Sequence, residues 1–308
     1  MITQLLKDKL ACPSCMGPLR FDNDSIKCLS CGAVYEVIDG IPIMLPADIK
    51  KQSDKESAFW EDYWGKTPMH DIAEVPKQAD IISVTDHVVP LWDKYGKDCF
   101  FEAGCGTGRL LYLLAKKGIN VIGYDNSPAA LKYTARFLKA AGVSNYHLVC
   151  GDMRYLPFKD NTLGMIYGGG SIEHFDGQQK AINEMHRALL PGSVLTLTYP
   201  YISISTLTYR QLFGNIPDVP VLKQFFRFMH ETVFRKKFMI FGYEKSFTIS
   251  KMQGFYKKSG FKNIYSGLFD TYLEMTFIKN PKMKDFLRKL SRFQPFWPMV
   301  HTTGVKEL

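Results

Sequence analysis

From residue 97 onward the apolar positions fall into alternating blocks of two periods. Short runs bounded by Gly, Asp or Pro read as buried strands: CFFEAG (99–104), NVIGYD (120–125), YHLVCGD (146–152), LGMIYGGG (163–170) and SVLTLTYP (193–200). Between them, RLLYLLAKKG (109–118), SPAALKYTARFLKAAG (127–142) and QQKAINEMHRALLPG (178–192) space their apolar residues as helices do. The helix ends are marked. Gly118 and Gly142 stop the first two, Pro191-Gly192 ends the third, and Ser127 with Pro128 starts the second as N-cap and first helical residue. This alternation predicts an α/β fold, a parallel sheet with helices on both faces. SFTISKMQGFYKKSG (246–260) reads as a last helix capped by Gly260, followed by two closing strands in FKNI (261–264) and TYLEMTFIKN (271–280). HTTGVKEL (301–308) carries no reading.

The loop after the first strand carries the first chemical signal. Glu102 stands two residues ahead of Gly104-Cys105-Gly106-Thr107-Gly108. The glycines let backbone approach a ligand where a Cβ would collide. Asp125 ends the next strand, where a carboxylate can accept from both hydroxyls of a ribose. A dinucleotide site would share this much. However, a pyrophosphate wants the wider GxGxxG loop and an unobstructed helix N-terminus. The spacing here is GxGxG behind an acid. A further acid, Asp152, ends the third strand, placed to accept from an adenine amino group with the N–H of Met153 nearby. These details favour S-adenosylmethionine as cofactor.

Four of the seven cysteines form two knuckles, Cys12-Pro-Ser-Cys15 and Cys28-Leu-Ser-Cys31, with twelve residues between them. Two such turns can complete a tetrahedral four-thiolate site for a structural Zn2+ ion, which leaves no open position for substrate. A redox dithiol pair and an iron–sulfur site are the alternatives. The N-terminus has no long uncharged apolar stretch and no run could span a bilayer, so a cytoplasmic setting is expected, where paired CxxC units favour metal over disulfides.

At this point a family is recognisable. Residues 99–200 resemble the class I S-adenosylmethionine-dependent methyltransferases, especially the type 11 group with its quinone and small-molecule methylases. Residues 8–46 resemble the small zinc ribbons found beside, or as activating partners of, many methyltransferases. The resemblance implies a Rossmann-like seven-stranded sheet with a small N-terminal zinc ribbon. It divides the chain into a ribbon (1–46), a linker with N-terminal helices (47–96), a methyltransferase domain with an insertion at 201–245 (97–280) and a basic amphipathic tail (281–308). It also implies roles. Glu102 and Gly104, with Gly106 and Gly108 in the same loop, would hold the methionine end. Asp125 would bind ribose with Asn126 beside it, Asp152 and Met153 would hold adenine, and Gly170 or Ser171 would line the transfer site. Two positions depart from the family pattern: Gly164 stands where an Asp is frequent, and Ser193 where a second Gly is usual. The run Gly168-Gly169-Gly170 is read as opening space for a bulky acceptor, with a tight strand end as the alternative.

Methyl transfer is an in-line displacement that needs alignment and, for some acceptors, proton removal. His174 is the leading base candidate because it follows the fourth strand, and Glu173 could orient it. Against this, the resemblance implies that the pair recurs with varied acceptors, which favours helix capping and packing. His70, His87, His147, His186, His230 and His301 are weaker candidates, read as surface or packing residues. Tyr63, Trp64 and Tyr167 could shield a sulfonium by cation–π contact, though core packing is the favoured reading.

Charge separates the chain in two. Residues 201–308 carry a balance of +11 and residues 1–200 a balance of −2. Within the basic third, 221–243 and 282–293 space aromatic residues along helical faces: Leu222, Phe225, Phe226, Met229 and Val233 in one, Phe286, Leu287, Leu290 and Phe293 in the other. Lys223, Arg227, His230 and Glu231 are expected opposite the first face. Such helices pack over the sheet or lid a cleft, which is the favoured reading, or they lie in a membrane interface, which would place the protein peripherally at the inner face of a membrane. The acceptor is read as a small or lipid-linked molecule (quinone-like, glycan or secondary metabolite), with RNA as the alternative. The ribbon holds only Arg20 and Lys27 between its outer cysteines, which makes it a poor phosphate binder. Oligomeric state is not legible.

Overall fold

The computed structural model describes residues 2–208, 215–235, 244–269 and 280–308, with the side chains of 50–56 left aside. After a short helix α1 (Gln4–Lys9), the cysteine-bearing segment forms four strands, β1 (Leu19–Phe21), β2 (Ser25–Cys28), β3 (Val34–Ile38) and β4 (Ile41–Met44). Helices α2 (Lys50–Lys66) and α3 (Ala79–Tyr95) lead into the alternating region. There β5 (Cys99–Ala103), α4 (Arg109–Lys116), β6 (Asn120–Asp125), α5 (Pro128–Ala140), β7 (Tyr146–Gly151), β8 (Met165–Gly169), α6 (Gln178–Ala188) and β9 (Val194–Pro200) fall where periodicity places them. Ser127 accepts from the Ala130 N–H as the expected N-cap. Helix α6 stops at Ala188, short of Pro191, because the residues approaching a proline are pushed out of helical conformation.

The remainder is α7 (Ile204–Leu207), β10 (Asn215–Pro217), α8 (Pro220–Phe228), β11 (Glu244–Ser246), α9 (Ile249–Lys258), β12 (Lys262–Leu268), α10 (Pro281–Leu290) and β13 (Met299–Val305). The described strands build one eleven-stranded sheet in the order β1-β2-β3-β4-β7-β6-β5-β8-β9-β13-β12, plus a separate pair β10-β11. Seven of the eleven, β7 through β12 in that order, form the expected Rossmann-like sheet.

Two features differ from the sequence reading. The ribbon is not a detached unit. Its last strand pairs in parallel with β7, Ile43 opposite Cys150 and Met44 opposite Gly151. Leu6, Leu10, Ile26 and Tyr35 join the same buried cluster as Phe101, Tyr124 and Phe158. Secondly, the stretch read as a basic tail (281–308) contains a core strand. β13 lies antiparallel between β9 and β12, with Thr302 opposite Leu197 and Ser266. Its polarity hid it. Thr302 and Thr303 are fully buried. Their hydroxyls are satisfied laterally, Thr303 by Thr196 at 2.8 Å and Thr302 by Tyr199 at 2.7 Å and Ser266 at 2.8 Å. The domain therefore runs to the last strand rather than ending at 280. Of the two closing strands expected, the first is β12, and 271–280 lies, Asn280 aside, outside the described residues.

Gly164 explains its own departure. A Cβ there would stand 1.3 Å from the Lys97 carbonyl oxygen, so this backbone admits no aspartate. The Gly168-Gly169 pair is likewise a packing requirement. Added Cβ atoms would meet Leu197 at 2.7 Å and the Tyr167 hydroxyl at 2.4 Å. The first two glycines thus make a tight strand end, while Gly169 and Gly170 also border a cavity, so the run serves both ends.

Candidate cofactor and active site

β5 is flanked by β6 on one side and β8 on the other, so the loops leaving their C-terminal ends diverge and open a crevice. A cavity of about 460 Å³ fills it. That is the size of a site for one nucleoside-like ligand with room beside it. Its floor is the β5–α4 loop. The N–H groups of Gly104 and Cys105 both donate to the Tyr124 carbonyl, at 2.7 and 3.1 Å, which bends the chain sharply off the strand. Gly104 has φ +77°, and a Cβ on it would lie 2.6 Å from that of Ser171, so glycine is required twice over.

Two side-chain oxygens in the wall, Glu102 Oε2 and Ser171 Oγ, are buried without a hydrogen-bond partner among the described residues. A buried acceptor left unsatisfied costs free energy unless a ligand fills it. Burial pushes the Glu102 carboxyl up to about 8, partly offset by Arg109 and reinforced by Asp125. Asp125 spreads its carboxylate over two backbone donors, Gly106 N–H to Oδ2 and Ser127 N–H to Oδ1, both at 3.0 Å. Each oxygen keeps a further acceptor site. Burial raises this carboxyl to about 6 in spite of those bonds.

Linkage gives a test. An acid whose folded pKa is raised contributes stability that is lost as pH rises towards that value. For Glu102 the window runs from its ordinary 4.5 to about 8. Glu102→Gln should therefore melt higher than wild type at pH 8, by several degrees, with the gap shrinking towards pH 5. Parallel melting curves across that range would show that Glu102 is not buried as described.

Asp152 departs from expectation. It is buried and in the cavity wall, but its carboxylate is taken by Arg154 two residues on. Arg154 donates Nε to Oδ1 at 2.9 Å, the terminal nitrogen to Oδ2 at 2.5 Å and its backbone N–H to Oδ1 at 2.8 Å. An adenine amino group would have to share it. Asn126, Met153 and Gly170 line the cavity. Gly108 does not; its place is set by Thr134, 2.5 Å from where a Cβ would stand.

His174 also lines the cavity, its ring edge-on to Trp60 with centroids 4.8 Å apart. Glu173 is buried beneath the same loop and lies outside the cavity wall. The loop is clamped by a residue the sequence reading missed. Lys245, fully buried, donates Nζ to the Phe175 carbonyl and to Asp176, each at 2.6 Å. Other lining residues also escaped that reading: Trp60 from α2, Asp80, Ile81 and Val84 from α3, Arg109, Phe269 just after β12 and Met299 of β13. Only the aromatic run in 59–64 could have signalled any of them. Glu61 fastens α2 across the site by accepting from Ser127 Oγ at 2.7 Å and Ala129 N–H at 2.9 Å. Trp64 and Tyr167 face the cavity, while Tyr63 is half exposed and outside it.

The remaining histidines are packing residues. His87 and His301 pack with tilted rings, centroids 4.4 Å apart. Burial pushes them down to about 3 and about 4, so both are neutral. His70 bonds Thr107, His147 bonds Thr3 and His186 packs on Phe261. His230, expected on a solvent face, is buried.

The four cysteines converge as their spacing requires. All four sulfurs lie within 4.8 Å of one another, with Cys12–Cys31 at 3.7 Å and Cys15–Cys28 at 3.5 Å. Tetrahedral zinc with bonds of about 2.3 Å places its sulfurs about 3.8 Å apart, so the set fits. Burial raises the Cys28 thiol, but the N–H groups of Cys31 and Ser30 aimed at its sulfur prevail and bring it to about 6. A zinc ion bound there would be held closed, away from the cavity.

The family described as a methyltransferase domain matches residues 100–192. The ubiquinone/menaquinone biosynthesis C-methyltransferase of Blochmanniella floridana is 31% identical over 112 residues, covering 34% of this chain and 44% of that protein. Norajmaline N-methyltransferase of Rauvolfia serpentina is 33% identical over 107 residues, covering 34% and 37%. A demethylmenaquinone methyltransferase of Staphylococcus haemolyticus is 27% identical over 161 residues, covering 48% and 59%. The chain thus spans between 37% and 59% of the length of these relatives. Among solved structures, a chain from the complex of the Haloferax volcanii Trm112 methyltransferase activator with its methyltransferase superposes with TM-score 0.52 at 13% identity, covering 84% of this chain and 96% of that one. The [4+2]-cyclase SpnF superposes equally, at 0.52 and 15%, covering 87% and 98%. These two likenesses concern the fold alone.

Proposed function

We propose that this chain, which carries a class I S-adenosylmethionine-dependent methyltransferase domain, transfers the methyl group of S-adenosylmethionine to a small or lipid-linked apolar molecule. The observation that carries the reading is the cavity wall: an unsatisfied buried Glu102 and Ser171 beside a glycine loop, with Asp125 at the next strand end. S-adenosylmethionine supplies a methyl group on a cationic sulfur, already electrophilic. The protein's part is to hold and align.

Glu102 would accept from the ammonium of the methionine end, and Arg109 beside it offers a cation to the carboxylate. Asp125 would accept from the ribose hydroxyls through the positions its two backbone donors leave open. Asn126 and Met153 would flank the base, with Asp152 shared between Arg154 and adenine. On the acceptor side, Trp60, Ile81, Val84, Phe175, Phe269 and Met299 make a largely apolar wall. Such a lining suits an aromatic or isoprenoid-bearing acceptor. His174 stands where it could take a proton from an acceptor hydroxyl or amine. The named activities of the partial relatives, on quinones and an alkaloid, agree with a small acceptor. The cyclase of the same fold is a reminder that architecture does not decide chemistry.

The deciding experiment incubates the protein with methyl-labelled S-adenosylmethionine, a demethylated quinone and, separately, bulk RNA. Label in the organic phase with the quinone is the expected result. Label confined to RNA would replace the acceptor class, and no transfer together with no calorimetric binding of S-adenosylmethionine would overturn the whole reading.

A further inference from the structure

We infer that the basic C-terminal third docks on an anionic lipid surface through α8, α10 and the exposed α7 residue Ile204. The inference does not depend on the methyltransferase reading, because it concerns a surface outside the cavity.

Neither α8 nor α10 contains a fully buried residue. Their apolar residues divide into two sets. Leu222, Phe226 and Met229 in the first segment, and Leu287 and Leu290 in the second, are half-buried. Val221, Phe225 and Phe228 follow one another at intervals of four and three, a single helical stripe, and face outward. Met283 and Phe286 face outward on α10, and Phe293 is exposed just beyond its end. All six are between 50% and 77% exposed. The face expected from sequence is thus rotated, with Phe225 outside and His230 inside. Large apolar residues scattered singly mean little, but exposed apolar residues grouped on two helices mark a contact surface.

The two groups belong to one region. The strand β10 that supports α8 and the turn at Gln294–Phe296 following α10 both pack on α7. Ser205 of α7 donates to the Phe296 carbonyl at 2.6 Å. Ile204 on the same helix is itself 47% exposed. α7 follows β9 directly, so the patch sits at the end of the sheet where the cavity opens.

A lid would turn these aromatics onto the cavity, yet no residue of 220–234 or 281–296 lines it. Charge names the occupant. Lys282, Lys284, Arg288, Lys289 and Arg292 lie on or just beyond α10 against the single acid Asp285. Exposed aromatic residues flanked by long basic side chains match the acyl–headgroup boundary of an anionic bilayer, where the rings enter and the cations stay at phosphate level. No described helix is long and apolar enough to cross a membrane, so contact is at the surface.

The test is co-sedimentation of the full chain with vesicles of equal parts phosphatidylcholine and phosphatidylglycerol, and of phosphatidylcholine alone. Binding to the mixed vesicles, much weaker on the neutral ones, is expected. The double variant Phe225→Ser, Phe286→Ser should lose at least ~30-fold in affinity. Lys282→Glu with Arg292→Glu should lose at least ~30-fold and flatten the salt dependence. Both pairs are exposed, and an unchanged melting temperature confirms folding. S-adenosylmethionine binding should survive in all variants, so failure here leaves the cofactor reading standing. Three outcomes overturn the proposal: no sedimentation of folded wild type, a dimer that the Phe substitutions dissociate, or RNA binding that ignores those substitutions.

Discussion

Asp125→Ala should weaken S-adenosylmethionine binding by at least ~100-fold while leaving the fold intact. The carboxylate does two jobs at once. It ties the glycine loop to the start of α5 through the N–H groups of Gly106 and Ser127, and in the proposed reading its remaining acceptor positions would serve the ribose. A hydrogen bond to a charged group contributes about 1.5–3 kcal/mol, and leaving donors unpaired adds to the loss. Two ribose contacts therefore account for two or more orders of magnitude. Isothermal titration on wild type and variant measures it directly. Near-equal affinities would mean that the ligand does not sit across the β6 end, and the assignment of Glu102 would fall with it. Asp125→Asn keeps the size of the side chain but only one of the two backbone hydrogen bonds, because its amide nitrogen cannot accept, and it should weaken binding as well.

Removing one thiolate should have an effect of comparable size on stability. Cys12→Ser leaves three sulfurs where four converge, and apparent zinc-binding free energies of structural sites, about 10–16 kcal/mol in small peptides, are folding free energies. In this protein the consequence extends beyond the ribbon. β4 continues the main sheet beside β7, the Ala11 N–H donates to the Pro157 carbonyl at 3.0 Å, and the ribbon's apolar residues complete the cluster around Phe101 and Phe158. A melting temperature lower by roughly 10 °C is expected, together with loss of bound zinc by elemental analysis. An unchanged melting temperature in a variant that binds no metal would show that sheet pairing alone holds the ribbon. Visible absorption from an iron–sulfur cluster in wild type would replace zinc with the other reading of the four cysteines.

The alternating strands and helices from 99 to 200 were legible in the sequence because each element declares itself locally: an apolar run of strand length, an apolar stripe of helix length, Ser127-Pro128 at a start and glycines at the stops. The glycine loop, the acids at successive strand ends and the two CxxC knuckles were legible for the same reason. Their spacing alone determines what they can reach. Other features depended on partners distant in sequence. β13 reads as polar because its threonines find hydroxyls on strands about forty and one hundred residues away. Asp152 could be placed at a strand end, but only the folded chain shows Arg154 turning back to occupy it. Lys245 would read as one more surface lysine until the fold lays it under the His174 loop. The orientation of α8, with Phe225 outward and His230 inward, was decided by what the body offered to pack against. Periodicity and spacing thus determined the element order, the Rossmann-like core, the glycine loop and the paired CxxC turns. Tertiary structure decided which acids remain open to a ligand, where the domain ends and which aromatic faces meet solvent, because burial and pairing are properties of neighbours that only folding brings together.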